Sequence, residues 1–273
     1  MMAIDIAKAI EDFQTDGYVI FRDAIDHDLI DRFWRDVDNQ IIHNPYLTWS
    51  LHGKIYRNSE VSRGAVNTDT TLRIIDMESH SQLAARLMLH ESVQSFLEAY
   101  YGYDPTAIQT LTYKFSSEQG AHSDLYLVSP PAVGPYYYRD SLAASWVACE
   151  DATEENGALV IYPGSHKLLK KPLQLFNNED GSFRYGEWVA YLEDLCARHG
   201  SGPELFLAKK GDVLIWHGDF VHAGGRILNR ARTRKSLVTH YARVRTDEAS
   251  ADPSYVKERA DGGWYFRKRR PRG

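Results

Sequence analysis

The residues best suited to chemistry cluster in three stretches. The first is Ala121-His122-Ser123-Asp124. If the run from His122 to Val128 is a strand, His122 and Asp124 share one face, because side chains two apart project together. An imidazole beside a carboxylate supplies two donors for a metal. Two histidines and one carboxylate form a facial set that leaves open positions on a non-haem iron. Alone, a His-x-Asp is weak, since an exposed histidine beside an aspartate is its usual explanation. The third donor is sought in Gly211-Asp212-Val213-Leu214-Ile215-Trp216-His217-Gly218-Asp219-Phe220-Val221-His222-Ala223-Gly224-Gly225. His222 is preferred, because the small residues after it let the backbone pass close to a metal. His217, at the end of a strand, is the alternative and otherwise serves packing.

The third stretch is Arg232-Thr233-Arg234-Lys235-Ser236-Leu237-Val238-Thr239-His240-Tyr241. Arg234 and Ser236 share a strand face. A guanidinium fork and a hydroxyl there suit a carboxylate, which the fork grips bidentately. Arg232 is the rival clamp, and a surface arginine on an edge strand is the plain alternative for both.

These residues need elements to hold them. Residues 4–14 read as a helix, Gly17 to Phe21 as a strand, and Asp28 as the start of a second helix with Leu29, Phe33, Val37 and Ile41 on one face. Residues 45–75 are mixed and read as a loop region over a site. Helices follow at about 80–89 and 91–101. From residue 107 the pattern changes to short β-branched and aromatic runs: Ala107–Phe115, His122–Val128, Ala143–Cys149, Ala158–Tyr162, Leu205–Ala208, Val213–Trp216 and Ser236–Val244. A helix at about 185–199 is inserted among them. The expected fold is mainly β with N-terminal and inserted helices, a sandwich or barrel. The expected single domain comprises a helical layer over about 1–104, a β core over about 105–245 and a basic tail over about 246–273. The run Arg267-Lys268-Arg269-Arg270-Pro271-Arg272 in that tail is expected to be solvated and frayed.

Further stretches sharpen the reading. Trp146-Val147-Ala148-Cys149-Glu150-Asp151, Asn156-Gly157-Ala158-Leu159 and Pro163-Gly164-Ser165-His166-Lys167 lie between the first and second stretches, and Phe13-Gln14-Thr15-Asp16-Gly17-Tyr18-Val19 opens the chain. In order and spacing, together with His122-x-Asp124 and Gly211 to Tyr241, they resemble the phytanoyl-CoA dioxygenase-like branch of the Fe(II)/2-oxoglutarate oxygenases from about residue 10 to about 245.

The resemblance implies a double-stranded β-helix, the cupin-like jelly roll. It implies Fe(II) on His122, Asp124 and His222, with 2-oxoglutarate and O2 as co-substrates. It implies Arg234 as the 2-oxoglutarate arginine with Ser236 as helper, although one extra residue between His222 and Arg234 keeps Arg232 open. Trp146 matches a position lining the co-substrate pocket, and Gln109 is a further contact to 2-oxoglutarate or else a core glutamine. His166 is assigned an ordering role in its loop. Halogenating relatives lack the carboxylate, so Asp124 points to oxygenation, with hydroxylation of a small-molecule metabolite and release of succinate and CO2 as the expected outcome. Tyr136-Tyr137-Tyr138-Arg139 would form a substrate wall or lid, or pack on the barrel. The rival functions are a hydrolase or isomerase using another metal on this scaffold, and a non-catalytic binding module.

Composition excludes other classes. The 273 residues carry a formal net charge of −5 and a pI near 6.1, which argues against nucleic-acid binding through counterion release. No apolar run reaches the length of a membrane span. The opening residues lack a signal-peptide core, and the two cysteines, Cys149 and Cys196, form no extracellular framework. A reducing cytoplasm is the expected location.

Overall fold

The computed structural model describes residues 5–51, 53–128, 141–243, 255–260 and 262–268. The Tyr136–Arg139 stretch lies outside them.

The N-terminal helices start and stop where their caps dictate. Helix α1, Ile6–Asp16, opens on Asp5, whose side chain accepts the Lys8 N–H, and closes at Gly17 with φ +84°. A Cβ at Gly17 would lie 2.4 Å from Nδ1 of His166, so close approach as well as dihedral demands glycine. Strand β1 is Tyr18–Phe21. Helix α2, His27–His43, is capped by Asp26 and buries Leu29, Ile30, Phe33, Trp34, Val37 and Ile41. After α2 come β2 (Thr48–Leu51), β3 (Lys54–Arg57), α3 (Arg63–Thr68) and β4 (Arg73–Ile75). Helices α4 (Gln82–Met88) and α5 (Glu91–Tyr101) complete the layer.

The remaining elements are β5 (Thr106–Tyr113), β6 (His122–Ser123), α6 (Asp124–Leu127), β7 (Leu142–Ala148), β8 (Leu159–Ile161), α7 (Tyr185–Arg198), β9 (Glu204–Phe206), β10 (Val213–His217), β11 (Val221–Gly224), β12 (Ser236–Ala242), β13 (Tyr255–Ala260) and β14 (Gly263–Lys268). The major sheet runs β1-β10-β7-β12-β5-β4-β2-β3, with β14 on the free part of β5, and the minor sheet runs β6-β11-β8-β9. This is the expected jelly roll. Pairing within the run β1 to β3 is antiparallel throughout.

Every residue of β7 and β12 is buried, because both faces of the major sheet are covered. Val147, Val213, Ile215, Leu237 and Tyr241 face the helices in one core. Their neighbours Trp146, Leu214, Trp216 and Val238 face the minor sheet and meet Leu159, Ile161 and Phe206 in a second. The period of two thus divides each strand between two apolar environments.

Three expectations need correction. The stretch 45–75 is not a loop: β2, β3 and β4 widen the major sheet. His122–Val128 is not one strand. The ladder to β11 ends after His222↔His122 and Val221↔Ser123. The Gly218 carbonyl then takes the Leu125 N–H at 2.8 Å and turns the chain into α6. The expected tail over about 246–273 contains two strands, while Arg269-Arg270-Pro271-Arg272 of its basic run lie outside the described residues. Strands β13 and β14 form a hairpin, and β14 pairs in parallel with Thr106 and Ala107 of β5. Phe266, 1% exposed, drives this by packing on Ile108, Leu142 and Ala242. Arg267 is held by Glu258 at 2.6 Å.

Candidate metal centre and adjoining cavity

His122 and His222 face each other across the two-residue ladder of β6 and β11, with ring centroids 4.3 Å apart. Both rings are fixed by backbone carbonyls. Nδ1 of His122 lies 2.8 Å from the Gly120 oxygen, and Nδ1 of His222 lies 3.3 Å from the Phe220 oxygen. Each Nδ1–H donates there, which leaves the Nε2 lone pairs directed inward. They meet Oδ1 of Asp124 at 4.0 and 3.8 Å. One ligand atom from each of the three residues falls within a 4.8 Å cluster, and all three residues are buried. Asp124 joins the histidines through the turn into α6 rather than through strand pleating.

The second oxygen of Asp124 is already engaged. Oδ2 accepts the Trp216 indole N–H at 2.7 Å and lies 3.3 Å from Nε2 of His240. His240 is held in turn by Gln109, whose Nε2 is 3.1 Å from the ring Nδ1. An amide N–H donated to Nδ1 selects the tautomer that carries its proton on Nε2, the ring nitrogen beside Asp124.

Burial sets the charge states. It pushes His122 down to about 3, helped by the neighbouring His222, and it lowers His222 as well. Burial also opposes the charge on Asp124, but the His222 and His240 imidazoles outweigh it and hold the carboxyl below its ordinary range. Imidazoles that release their protons readily beside a stable carboxylate are the donor set a divalent metal needs.

The three donors open onto a cavity of about 840 Å³ between the sheets. Arg234 lines it, only 2% exposed. Its Nη1 donates to the Gly157 carbonyl at 3.0 Å, its guanidinium lies 5.5 Å from the centre of the Trp146 ring, and its Nε has no hydrogen-bond partner among the described residues. Burial brings its pKa down to about 10, which leaves it cationic at neutral pH. The Trp146 indole N–H is likewise buried without a partner. A buried guanidinium with spare donors fits an anion that reaches it across the cavity.

Not every expected residue reaches the cavity. Gln109 and Trp146 line it, but the Gln109 amide is turned to His240. Ser236 is buried and does not line it. Arg232 is on the surface, half-exposed and paired with Glu155. His217 is buried against Phe13 and His166, away from the cavity. His166 ties its loop to the Gln14 carbonyl at 3.2 Å. The sequence reading missed Trp216 and His240 as partners of Asp124. His240 carried a signal, because it stands at i+6 from Arg234 on the same strand face as Ser236 and Val238. Arg73, also on the cavity wall, was concealed in the stretch read as a loop.

The motif residues around Ser165 brace β6 and β11 from behind. Ser165 Oγ accepts the Val221 N–H at 2.8 Å, next to His222. Ser123 Oγ, between His122 and Asp124, donates to the Gly218 carbonyl at 3.0 Å. Asp219 and Lys170 form a buried ion pair of 2.9 Å beneath them.

The family model for phytanoyl-CoA dioxygenase (PhyH) matches residues 13–236. The peroxisomal phytanoyl-CoA dioxygenase of Rattus norvegicus is 23% identical over 262 residues, which cover 89% of this chain and 68% of that one. Among solved structures, the epimerase SnoN in complex with Fe3+, alpha ketoglutarate and nogalamycin RO superposes with a TM-score of 0.62 at 15% identity, covering 96% of this chain and 98% of that one. EctD from S. alaskensis with 2-oxoglutarate and 5-hydroxyectoine gives 0.60 at 17% identity, covering 86% and 75%. At these identities the superpositions speak for the fold.

Proposed function

We propose, from the premise that this chain belongs to the phytanoyl-CoA dioxygenase family, that it hydroxylates a small-molecule metabolite, with iron on His122, Asp124 and His222 and the far carboxylate of 2-oxoglutarate on Arg234. The chain is a 2-oxoglutarate-dependent dioxygenase, and Fe(II) and 2-oxoglutarate are its cofactor and co-substrate. Bound together with O2, they supply an oxidant that exchanges a substrate C–H for C–OH while 2-oxoglutarate leaves as succinate and CO2.

The protein's own residues do the rest. His122 and His222 present neutral Nε2 atoms, Asp124 presents one oxygen, and Trp216 and His240 keep the other away. Arg234 and Trp146, both buried in the cavity wall, would orient a five-carbon diacid there. Phe183, Leu127 and Val128 supply apolar wall to the cavity. The presence of Asp124 supports oxygenation over halogenation. Two buried free thiols, Cys149 and Cys196, fit a reducing cytoplasm. Among the described residues no helix is long and apolar enough to cross a membrane.

The observation that carries this reading is the cluster of three ligand atoms within 4.8 Å in a cavity that also holds the buried Arg234. Anaerobic titration with Fe(II) and then 2-oxoglutarate tests it. A weak visible charge-transfer band should appear in the wild type and vanish in His222→Ala. Iron binding without that band would overturn the assignment of the co-substrate site.

A further inference from the structure

The three candidate ligands hang on little backbone. Strand β6 is two residues long, and its ladder to β11 consists of Val221↔Ser123 and His222↔His122. So short a ladder barely offsets the entropy of ordering the chain. Further hold comes from the side opposite the cavity. His122, Asp124 and His222 line the cavity, whereas Ser123, Asp219 and Lys170 do not. Ser123 Oγ lies 3.0 Å from the Gly218 carbonyl and 3.2 Å from Oδ1 of Asp219, and its one proton is shared between them. The same Oδ1 meets Nζ of Lys170 at 2.9 Å, with the two side chains only 1% and 0% exposed. The ammonium also donates to the carbonyls of Ser165 at 2.9 Å and Leu168 at 3.3 Å. Ser165 in turn accepts the Val221 N–H, so one connected set of polar contacts runs behind both strands.

An ion pair this deep is a poor device for stability. Desolvation cancels most of the attraction, and two apolar side chains of like volume would pack there without loss. What the pair adds is direction, since charges with fixed partners have one arrangement where apolar groups have several. We infer that Lys170 and Asp219 are positioning residues for the metal centre. Acting through Ser123, their pair holds His122 and Asp124 against His222, so that the donors stand in place before a metal arrives. Ligands ordered in advance bind more tightly, because no ordering cost remains at the moment of binding. Lys170 lies between β8 and α7 and Asp219 in the turn from β10 to β11, so the pair ties three separate stretches of chain at one point. The inference rests on the proposed metal site.

The test is the Mn(II) affinity of the full chain without 2-oxoglutarate, read from the electron paramagnetic resonance signal of the free ion, beside urea unfolding of the metal-free protein. Lys170→Met combined with Asp219→Leu removes both charges and keeps the volume. We expect its unfolding midpoint to be no lower than that of the wild type, while its Mn(II) Kd rises about tenfold or more. Ser123→Ala leaves the ion pair in place and should raise the Kd severalfold with the midpoint little changed. A folded double variant with the wild-type Kd would make the pair a packing element and overturn the inference. Should the double variant not fold, Ser123→Ala decides, and an unchanged Kd there overturns the inference equally. His222→Ala controls for the site itself: if it binds Mn(II) as the wild type does, the metal-site assignment fails rather than the role of the pair.

Discussion

The Trp216 indole N–H sits 2.7 Å from Oδ2 of Asp124, so the carboxylate turns a single free oxygen toward the two imidazoles. An oxygen occupied by a buried indole is withheld from a metal, which favours one-atom ligation and keeps other positions open. Trp216→Phe preserves the ring and removes the bond. We expect the Fe(II) Kd to rise by about ten- to a hundredfold with an unchanged circular dichroism spectrum. An unaltered Kd would show that the indole serves packing alone.

His240 and Gln109 act on the same oxygen from the other side. Gln109→Ala should free the His240 ring and weaken Fe(II) by a few fold. His240→Ala, which removes the Asp124 contact itself, should weaken it by about tenfold or more. The ranking is the prediction, and metal titration of the two variants side by side checks it.

Arg232 and Arg234 are two residues apart and should behave as opposites. Arg232→Gln breaks an exposed ion pair with Glu155 and should change stability by less than about 0.5 kcal/mol, with 2-oxoglutarate binding intact. Arg234→Gln empties a buried clamp and should cost about 1.5–3 kcal/mol of 2-oxoglutarate affinity. Isothermal titration of both proteins separates them, and equal losses would mean that the loop rather than the guanidinium is being perturbed.

Glu78 gives a pH signature away from the cavity. Burial, aided by Asp76, pushes its carboxyl up to about 8, and Thr110 donates to it at 2.5 Å. Because the folded pKa is raised, the folded chain holds a proton that the unfolded chain releases. Its stabilising contribution is complete below about pH 4.5 and declines as pH rises through about 8. Glu78→Gln should therefore raise Tm at pH 8 by on the order of 5 °C and change it little at pH 5. A Tm difference independent of pH would contradict this.

Gly157 supports Arg234 from a position few residues can occupy. Its φ is +81°, and a Cβ there would lie 2.5 Å from the Gly225 carbonyl and 2.7 Å from Cβ of Ser116. Gly157→Ala should destabilise the protein by about 2–4 kcal/mol and also weaken 2-oxoglutarate, since the Gly157 carbonyl accepts from Arg234. Denaturant unfolding measures the first effect, and co-substrate titration at a temperature where the variant is folded measures the second.

The legible parts of this molecule are those whose environment is uniform. Val213–His217 and Ser236–Ala242 are covered on both faces, so their sequences are almost unbroken apolar or β-branched runs and stand out. Strands β2, β3 and β4 face helices on one side and the cavity or solvent on the other. Their residues, among them Lys54, Arg57 and Arg73, therefore resemble loop composition. That is why Arg73 escaped notice. The pairing of His122 with Asp124 was readable as a motif, but its geometry was not. The turn that swings Asp124 inward depends on the Gly218 carbonyl, a contact remote in sequence. The same holds for Trp216 and His240, whose meaning arises only when β10 and β12 are brought to α6.

The position of β12 also governs when this protein can become whole. It lies between β5 and β7, which leave the ribosome long before it does. Until Ser236–Ala242 emerge, the centre of the major sheet is a gap bordered by two unpaired, adhesive edges. Assembly therefore waits on a late segment, and a nascent chain stalled ahead of it is exposed to misassociation. The same segment carries His240 and adjoins Arg234, so the docking of this strand brings both residues into place. A chain that has closed its sheet has, by the same event, completed its cavity.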